Sequence, residues 1–121
     1  MTQIMTQPMN IDNNINKIYL SNEMYYIGNS KDDNPDGYGT LYCKNRKYVG
    51  NFKNSFIQGF ATIYISNKKA FEGYFIKNKE NGEGTTYYYK TTGNIDFKGN
   101  FINSKKSGFG TKFDENGNKI Y

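Results

Sequence analysis

Histidine and tryptophan are absent from this chain, cysteine occurs once and proline twice. Without imidazole the commonest general base and zinc ligand is missing, and with it the usual catalytic triads and metal centres. The lone thiol, Cys43, cannot close an internal disulfide, which fits a reducing compartment. No Gly-x-x-x-x-Gly-Lys-Ser/Thr phosphate loop occurs. Arg46 is the only arginine, so the forked guanidinium that reads bases and grips phosphates is nearly absent, and nucleic acid is a poor candidate partner. The acidic run Asp32-Asp33-Asn34-Pro35-Asp36-Gly37 lacks the alternating ligand spacing and distal Glu of a calcium loop and reads as an acidic turn. No catalytic residue, cofactor or metal is expected, and the chain reads as non-enzymatic. Long apolar runs are missing too. Residues 1–16 lack the apolar core of a signal peptide, and no stretch approaches the ~20 residues of a membrane span. The expected setting is cytoplasmic, on the cytoskeleton, a cilium or a membrane surface.

What the chain does hold is rings and glycines: 12 Tyr, 9 Phe and 13 Gly in 121 residues. A core built from it must be aromatic, and tyrosine suits strands because its ring packs on a pleated surface while its hydroxyl stays wet. The net charge of +5 is uneven. Residues 1–43 carry two lysines against five carboxylates, and the remainder carries 14 basic against six acidic side chains. That basic portion suits an acidic partner.

The glycines are periodic. Tyr48-Val49-Gly50-Asn51-Phe52 precedes Gly59-Phe60-Ala61-Thr62, Phe71-Glu72-Gly73-Tyr74-Phe75 precedes Gly82-Glu83-Gly84-Thr85, and Phe97-Lys98-Gly99-Asn100-Phe101 precedes Gly108-Phe109-Gly110-Thr111. An earlier copy runs Tyr26-Ile27-Gly28-Asn29-Ser30, then Gly37-Tyr38-Gly39-Thr40. In all four copies the first two glycines lie nine residues apart, and a ring (Tyr42, Tyr64, Tyr87, Phe113) follows three residues after the last small residue. Such a period decides the architecture. A half-repeat over residues 16–24 precedes copies starting near residues 25, 48, 71 and 97, and residues 1–15 form a tail or cap. Residues 117–121 copy residues 93–97, so the chain stops at the first residue of a fifth copy: a fragment, or an edge left to pair with another chain.

Each copy reads as two strands. The first puts both rings and its glycine on one face; the second puts its two small residues on one face and Thr and the ring on the other. Bare glycines would give neighbouring rings room to lie flat across them, a device that pins register. Asn45-Arg46, Asn67-Lys68, Thr92-Gly93-Asn94 and Asn116-Gly117 read as turns, and Tyr87-Tyr88-Tyr89-Lys90 as a strand extension past the rim.

This pattern resembles the MORN (membrane occupation and recognition nexus) repeat, with the approximate motif Y-x-G-x-W-x-x-G-x-x-x-G-x-G, over residues 18–121. Phe52, Phe75 and Phe101 stand at the W position and Ser30 in the first copy; Asp33, Ser55, Asn78 and Ser104 replace the next Gly; Ala61 replaces a later one. The resemblance implies an all-β, elongated, single-layer antiparallel ribbon of hairpins with about nine strands. Its first copy, without a ring and with Pro35, is expected to be the most irregular. The resemblance also implies scaffold, cytoskeletal, ciliary or membrane-junction roles.

A single sheet cannot bury both faces, so an aromatic side is expected to stay partly open. Tyr42, Tyr48, Phe52, Tyr64, Phe75, Tyr87, Phe97 and Phe101 either pack on one another or grip a helix or extended peptide as interface anchors. Phe56 and Ile57 sit where sibling copies have charges, and form a hydrophobic toe for a partner or bilayer or fold back on the ribbon. Lys53, Lys77, Lys79, Lys105 and Lys106 on one rim are either solvated or meet anionic phospholipid. Ile11, Ile15 and Ile18 share one face if the tail is helical. The leading reading is a protein–protein interaction module or scaffold subunit of a cytoskeletal, ciliary or signalling assembly. Its alternatives are a peripheral binder of anionic membranes and a trans-acting regulator of an enzyme.

Overall fold

The computed structural model describes residues 15–121, and among these every regular element is a strand. Ten strands form one antiparallel sheet in which spatial order equals chain order. They are β1 (Ile15–Ser21), β2 (Met24–Lys31), β3 (Asn34–Cys43), β4 (Arg46–Lys53), β5 (Phe56–Ile65), β6 (Lys68–Ile76), β7 (Lys79–Tyr87), β8 (Ile95–Ile102), β9 (Lys105–Phe113) and β10 (Lys119–Ile120). The single-layer ribbon of hairpins is therefore present, with a tenth strand made by the short return of residues 119–120 onto β9. Ile15 and Ile18 belong to β1, not to a helix; Ile11 lies outside the described residues.

Alternation along the strands sorts side chains onto two faces. One face, the packed face, holds the core: Tyr26, Phe52, Ile57, Ala61, Ile63, Phe71, Phe75, Phe97 and Phe101, with Ile18, Leu41, Tyr48 and Ile65 against them. The rings meet edge to face, Tyr26 with Phe52, Phe71 with Phe75 and Phe101, and Phe97 with Phe101, at centroid distances of 5.0 to 5.9 Å. Such pairs add about 0.5–1.5 kcal/mol each beyond the area they bury.

The paired small residues of each copy turn out to have separate tasks. The second of them (Gly39, Gly84, Gly110) lies under a ring. A Cβ there would come within 2.3 to 2.6 Å of Tyr26, Phe71 or Phe97 ring atoms. In the second copy Ala61 fills that seat with its own methyl, and Tyr48 is left only half-buried. The first small residue (Gly37, Gly59, Gly82, Gly108) lies under no ring. It sits inside a bulge that gives the second strand two residues more than the first, three facing one in the first three copies and two facing none in the fourth, with φ of 104°, 101°, 102° and 72°. The same bulge recurs in every copy, so the twist it adds is repeated along the ribbon.

The first copy is no more irregular than the rest. It has the same bulge, Pro35 is buried opposite Ser30, and Tyr26 is fully buried with its hydroxyl donating to the Asn29 carbonyl at 2.7 Å. Burial first, then the Asp36 carboxylate, pushes that phenol up to about 12.

Turns on one rim fall at Asp32-Asp33, Asn54-Ser55, Lys77-Asn78 and Asn103-Ser104, both residues of each with positive φ, the geometry that suits hairpin twist. Each later turn is tied to the copy before it. Ser55 N–H donates to Pro35, Asn78 N–H to Ile57 and Ser104 N–H to Glu80 carbonyl oxygens, at 2.9 to 3.0 Å. On the other rim the turns are Lys44-Asn45 and Ser66-Asn67, one residue earlier than the sequence suggests. Strand β7 ends at Tyr87 and does not run past the rim. Residues 88–94 fold into a loop whose Tyr88 hydroxyl donates to the Phe113 carbonyl, and whose Thr91 and Asn94 bond Glu115.

Candidate interaction surface

The face opposite the core carries a second order of side chains. Following the register from strand to strand, a central row runs Lys17, Ile27, Thr40, Val49, Thr62, Glu72, Thr85, Lys98, Thr111. It is a floor of mostly short and β-branched groups. Toward one rim stands a row of rings and lysines: Tyr19, Tyr25, Tyr42, Lys47, Tyr64 and Lys69, with Tyr87 beyond. Tyr25 and Tyr42 stack at 4.7 Å, Lys47 lies over Tyr64 at 4.9 Å and Lys69 over Tyr87 at 5.3 Å. Toward the other rim Tyr38, Phe60, Tyr74 and Phe109 project outward. All are exposed, Phe109 at 97%, and Phe60 meets Tyr74 edge-on at 5.4 Å. Four residues along a strand separate Phe60 from Tyr64, so the two walls stand about 13 Å apart across the floor. A hollow of about 690 Å³ lies in this trough over Phe60, Glu72, Tyr74, Lys98 and Phe109, and another of about 530 Å³ lies beside Tyr25, Tyr42 and Tyr64.

The eight ring residues singled out in the sequence do not share a face. Phe52, Phe75, Phe97 and Phe101 are buried on the packed face and Tyr48 is half-buried there; Tyr42, Tyr64 and Tyr87 are half-buried on the open one. The reason lies in strand alternation: the strand-two ring is an even number of residues from Thr, an odd number from the last small residue, and so points away from the first-strand rings. Of the expected toe, Phe56 is exposed, but Ile57 is turned inward opposite Phe52 and is 4% exposed. The tip is Asn54-Ser55 instead, so Phe56-Ile57 opens β5. Lys53 adjoins that tip and pairs with Asp36 at 3.9 Å; Lys77 sits in a turn; Lys79 and Lys105 open β7 and β9. Lys106 instead reaches back over the Phe97 ring at 4.4 Å.

The open-face residues Tyr38, Phe60, Tyr74 and Phe109 escaped the sequence reading. A signal existed for three of them: the residue between the paired small residues is aromatic in three copies of four, at Tyr38, Phe60 and Phe109. In the fourth it is Glu83.

Electrostatically the open face is mixed with a basic surplus, Lys17, Lys47, Lys69 and Lys98 against Glu72 and Glu83. Glu72 accepts a 2.7 Å bond from the Tyr87 hydroxyl and pairs with Lys69 at 3.2 Å. The Tyr87 bond first, and the lysines after it, hold its carboxyl below the ordinary value despite partial burial. Burial and then Glu72 push Tyr87 up. On the packed face, Asp96 is bonded by Lys112 and Thr86; burial raises it, but those bonds outweigh burial and leave it lowered. Burial raises the Cys43 thiol, with Arg46 opposing, which leaves it a poor nucleophile. Among the described residues no group of three or more Cys, Asp or Glu is placed to hold a metal ion.

A family model described as the MORN repeat matches residues 26–46, 48–68, 71–92 and 97–119. The chain belongs to the MORN-repeat family. Each matched MORN repeat opens on the ring that, in three of the four, covers a glycine of its own second strand: Tyr26, Phe71 and Phe97, with Tyr48 the half-buried fourth. The repeat motif is thus chiefly a prescription for the packed face and the bulge. On the open face the Thr floor recurs in every copy, at Thr40, Thr62, Thr85 and Thr111, while the outward position between the paired small residues changes from ring to Glu83. No curated protein matches the chain.

Proposed function

We propose that this MORN-repeat protein is a non-enzymatic interaction module, a cytoplasmic scaffold subunit of a larger assembly of cytoskeletal, ciliary or signalling type. It would bind a helix or peptide of another protein on its aromatic surface. One observation carries the reading: a one-layer sheet packs one face with its own rings and leaves the other with four exposed rings in a row, Tyr38, Phe60, Tyr74 and Phe109. Exposed aromatic rows are enriched at protein docking sites. The runner-up, a binder of anionic membranes, draws on Lys77, Lys79 and Lys105 beside the turns and on exposed Phe56. It is weakened by Ile57 turning inward and by Lys53 facing Asp36.

Affinity purification of the chain after crosslinking in its native cell, paired with sedimentation on anionic and neutral vesicles, separates the two. A protein crosslinked in stoichiometric amount, with the chain left in the supernatant of both vesicle types, is the expected result. Salt-sensitive pelleting with anionic vesicles alone, and no crosslinked protein, would overturn the reading.

A further inference from the structure

The open-face trough constrains what can lie in it, and the following rests on the docking reading above. Its walls run along the ribbon axis, perpendicular to the strands. The spacing of about 13 Å between them matches an α-helix, whose width with side chains is about 10–12 Å. The helical pitch of about 5.4 Å is close to the strand spacing of about 4.8 Å, so successive turns of a helix lying along the axis meet successive strands. An extended segment is narrower and would leave one aromatic wall without contact.

Chemistry narrows the occupant further. The floor offers short Thr and Val side chains at Thr40, Val49, Thr62, Thr85 and Thr111, which leave depth for apolar side chains entering from above. The wall of Tyr38, Phe60, Tyr74 and Phe109 offers apolar area. Cations stand at the floor and the far wall, Lys98 in the hollow itself and Lys47 over Tyr64. Of the two acids on this face, Glu72 is already engaged by Tyr87 and Lys69, and Glu83 lines the hollow from the row of the ring wall rather than from the floor. We infer that the trough docks an amphipathic α-helix of another protein, lying along the ribbon axis with its apolar stripe on the Thr floor and ring wall and with carboxylates flanking that stripe toward Lys47 and Lys98.

Two synthetic helical peptides test this. Both carry leucines at i, i+3, i+4 and i+7; one is flanked by glutamates and the other by lysines. Each is titrated into the isotope-labelled full chain while backbone amide shifts are recorded. The Glu peptide should bind at least tenfold tighter than the Lys peptide, move the amides of Thr62, Thr85, Lys98 and Thr111, and weaken as salt is raised. The F60A/F109A variant should lose at least tenfold in affinity with unchanged thermal unfolding, because both rings are exposed. The K47E/K98E variant should reverse the peptide preference, an outcome that loss of folding cannot imitate. Equal binding of the two peptides, or binding by neither up to millimolar concentration, would overturn the proposal. So would shifts gathered around Phe52, Phe75 and Phe101, or concentration-dependent shifts on the open face without peptide, which would make a second copy the occupant. These failures leave the crosslinking result intact, so the trough and the docking reading can fall separately.

Discussion

A methyl group added to Gly84 would sit 2.6 Å from Phe71 Cζ and 3.2 Å from Phe101 Cδ1. Two edge-to-face rings would have to shift to admit it, and overpacking of a filled site costs about 1–3 kcal/mol. Gly84→Ala should therefore lower the midpoint of urea unfolding by that amount at unchanged slope. Glu72 and Tyr87 allow a second test at this scale. Glu72 is depressed below its ordinary value of 4.5, so its share of stability is complete above that pH and is lost as pH falls through the folded value. Tyr87 is raised above its ordinary value of 10.0, so its share is present below that pH and is lost as pH rises past it. Tyr87→Phe, which removes the largest cause of the Glu72 shift, should flatten both limbs of the stability–pH curve. Glu72→Gln should remove the Glu72 share of the acid limb, leaving the share of Asp96, and only shrink the alkaline one. Unfolding free energies measured at several pH values decide it, and curves that coincide with wild type would refute the coupling. The ring-over-glycine seating was readable from spacing. The Glu72–Tyr87 bond was not, because a period in sequence says nothing about which two rim-side polar groups a twist brings together.

At the scale of the strand and the turn, conformation decides more than contact. Ser55 is a non-glycine residue at φ 72° in the second position of a tight turn, and its N–H, which every replacement but proline keeps, makes the bond to Pro35. Ser55→Gly should relieve the left-handed conformation and raise the melting temperature, by an amount corresponding to about 1 kcal/mol. Ser104→Gly relieves the same conformation but loses a 2.6 Å hydroxyl bond to Glu80, so its gain should be smaller or absent. In the bulge the sign reverses. Gly59→Ala meets nothing closer than Asn51 Cβ at 3.5 Å, yet at φ 101° it should destabilise by about 1–2 kcal/mol on backbone strain alone. Thermal unfolding of the three variants side by side checks the set. The alternation rule placed the two strands of each copy, but it assumes an uninterrupted pleat. It therefore gave the first small residue of each copy a ring to carry when its task is a bulge, and set two turns one residue late.

At the scale of the whole molecule, each strand of the ribbon pairs, among the described residues, only with the strands before and after it in sequence. That follows from the repeat, which made the architecture legible, though not the division of its rings between two faces. In such an array stability is close to a sum of unit and neighbour terms. The second and third copies are equivalent from Tyr48 and from Phe71, with the same register, Gly50 opposite Ala61 and Gly73 opposite Gly84, and the same bulge. Deleting residues 48–70 should therefore join Lys47 to Phe71 in register and leave a three-copy ribbon, the fewest repeats that usually suffice. We expect a folded chain with an unchanged β-type circular dichroism signature, a lower melting temperature and a urea slope reduced roughly in proportion to the surface removed. The join also puts Gly84, in place of Ala61, into the copy that follows β4, with Phe71 over it. The ring that stays half-buried at Tyr48 in the parent would thus be replaced by one that is seated. If the shortened chain were instead unfolded, stability would have to reside in long-range terms that the strand order does not provide, and the additive account of the ribbon would fail.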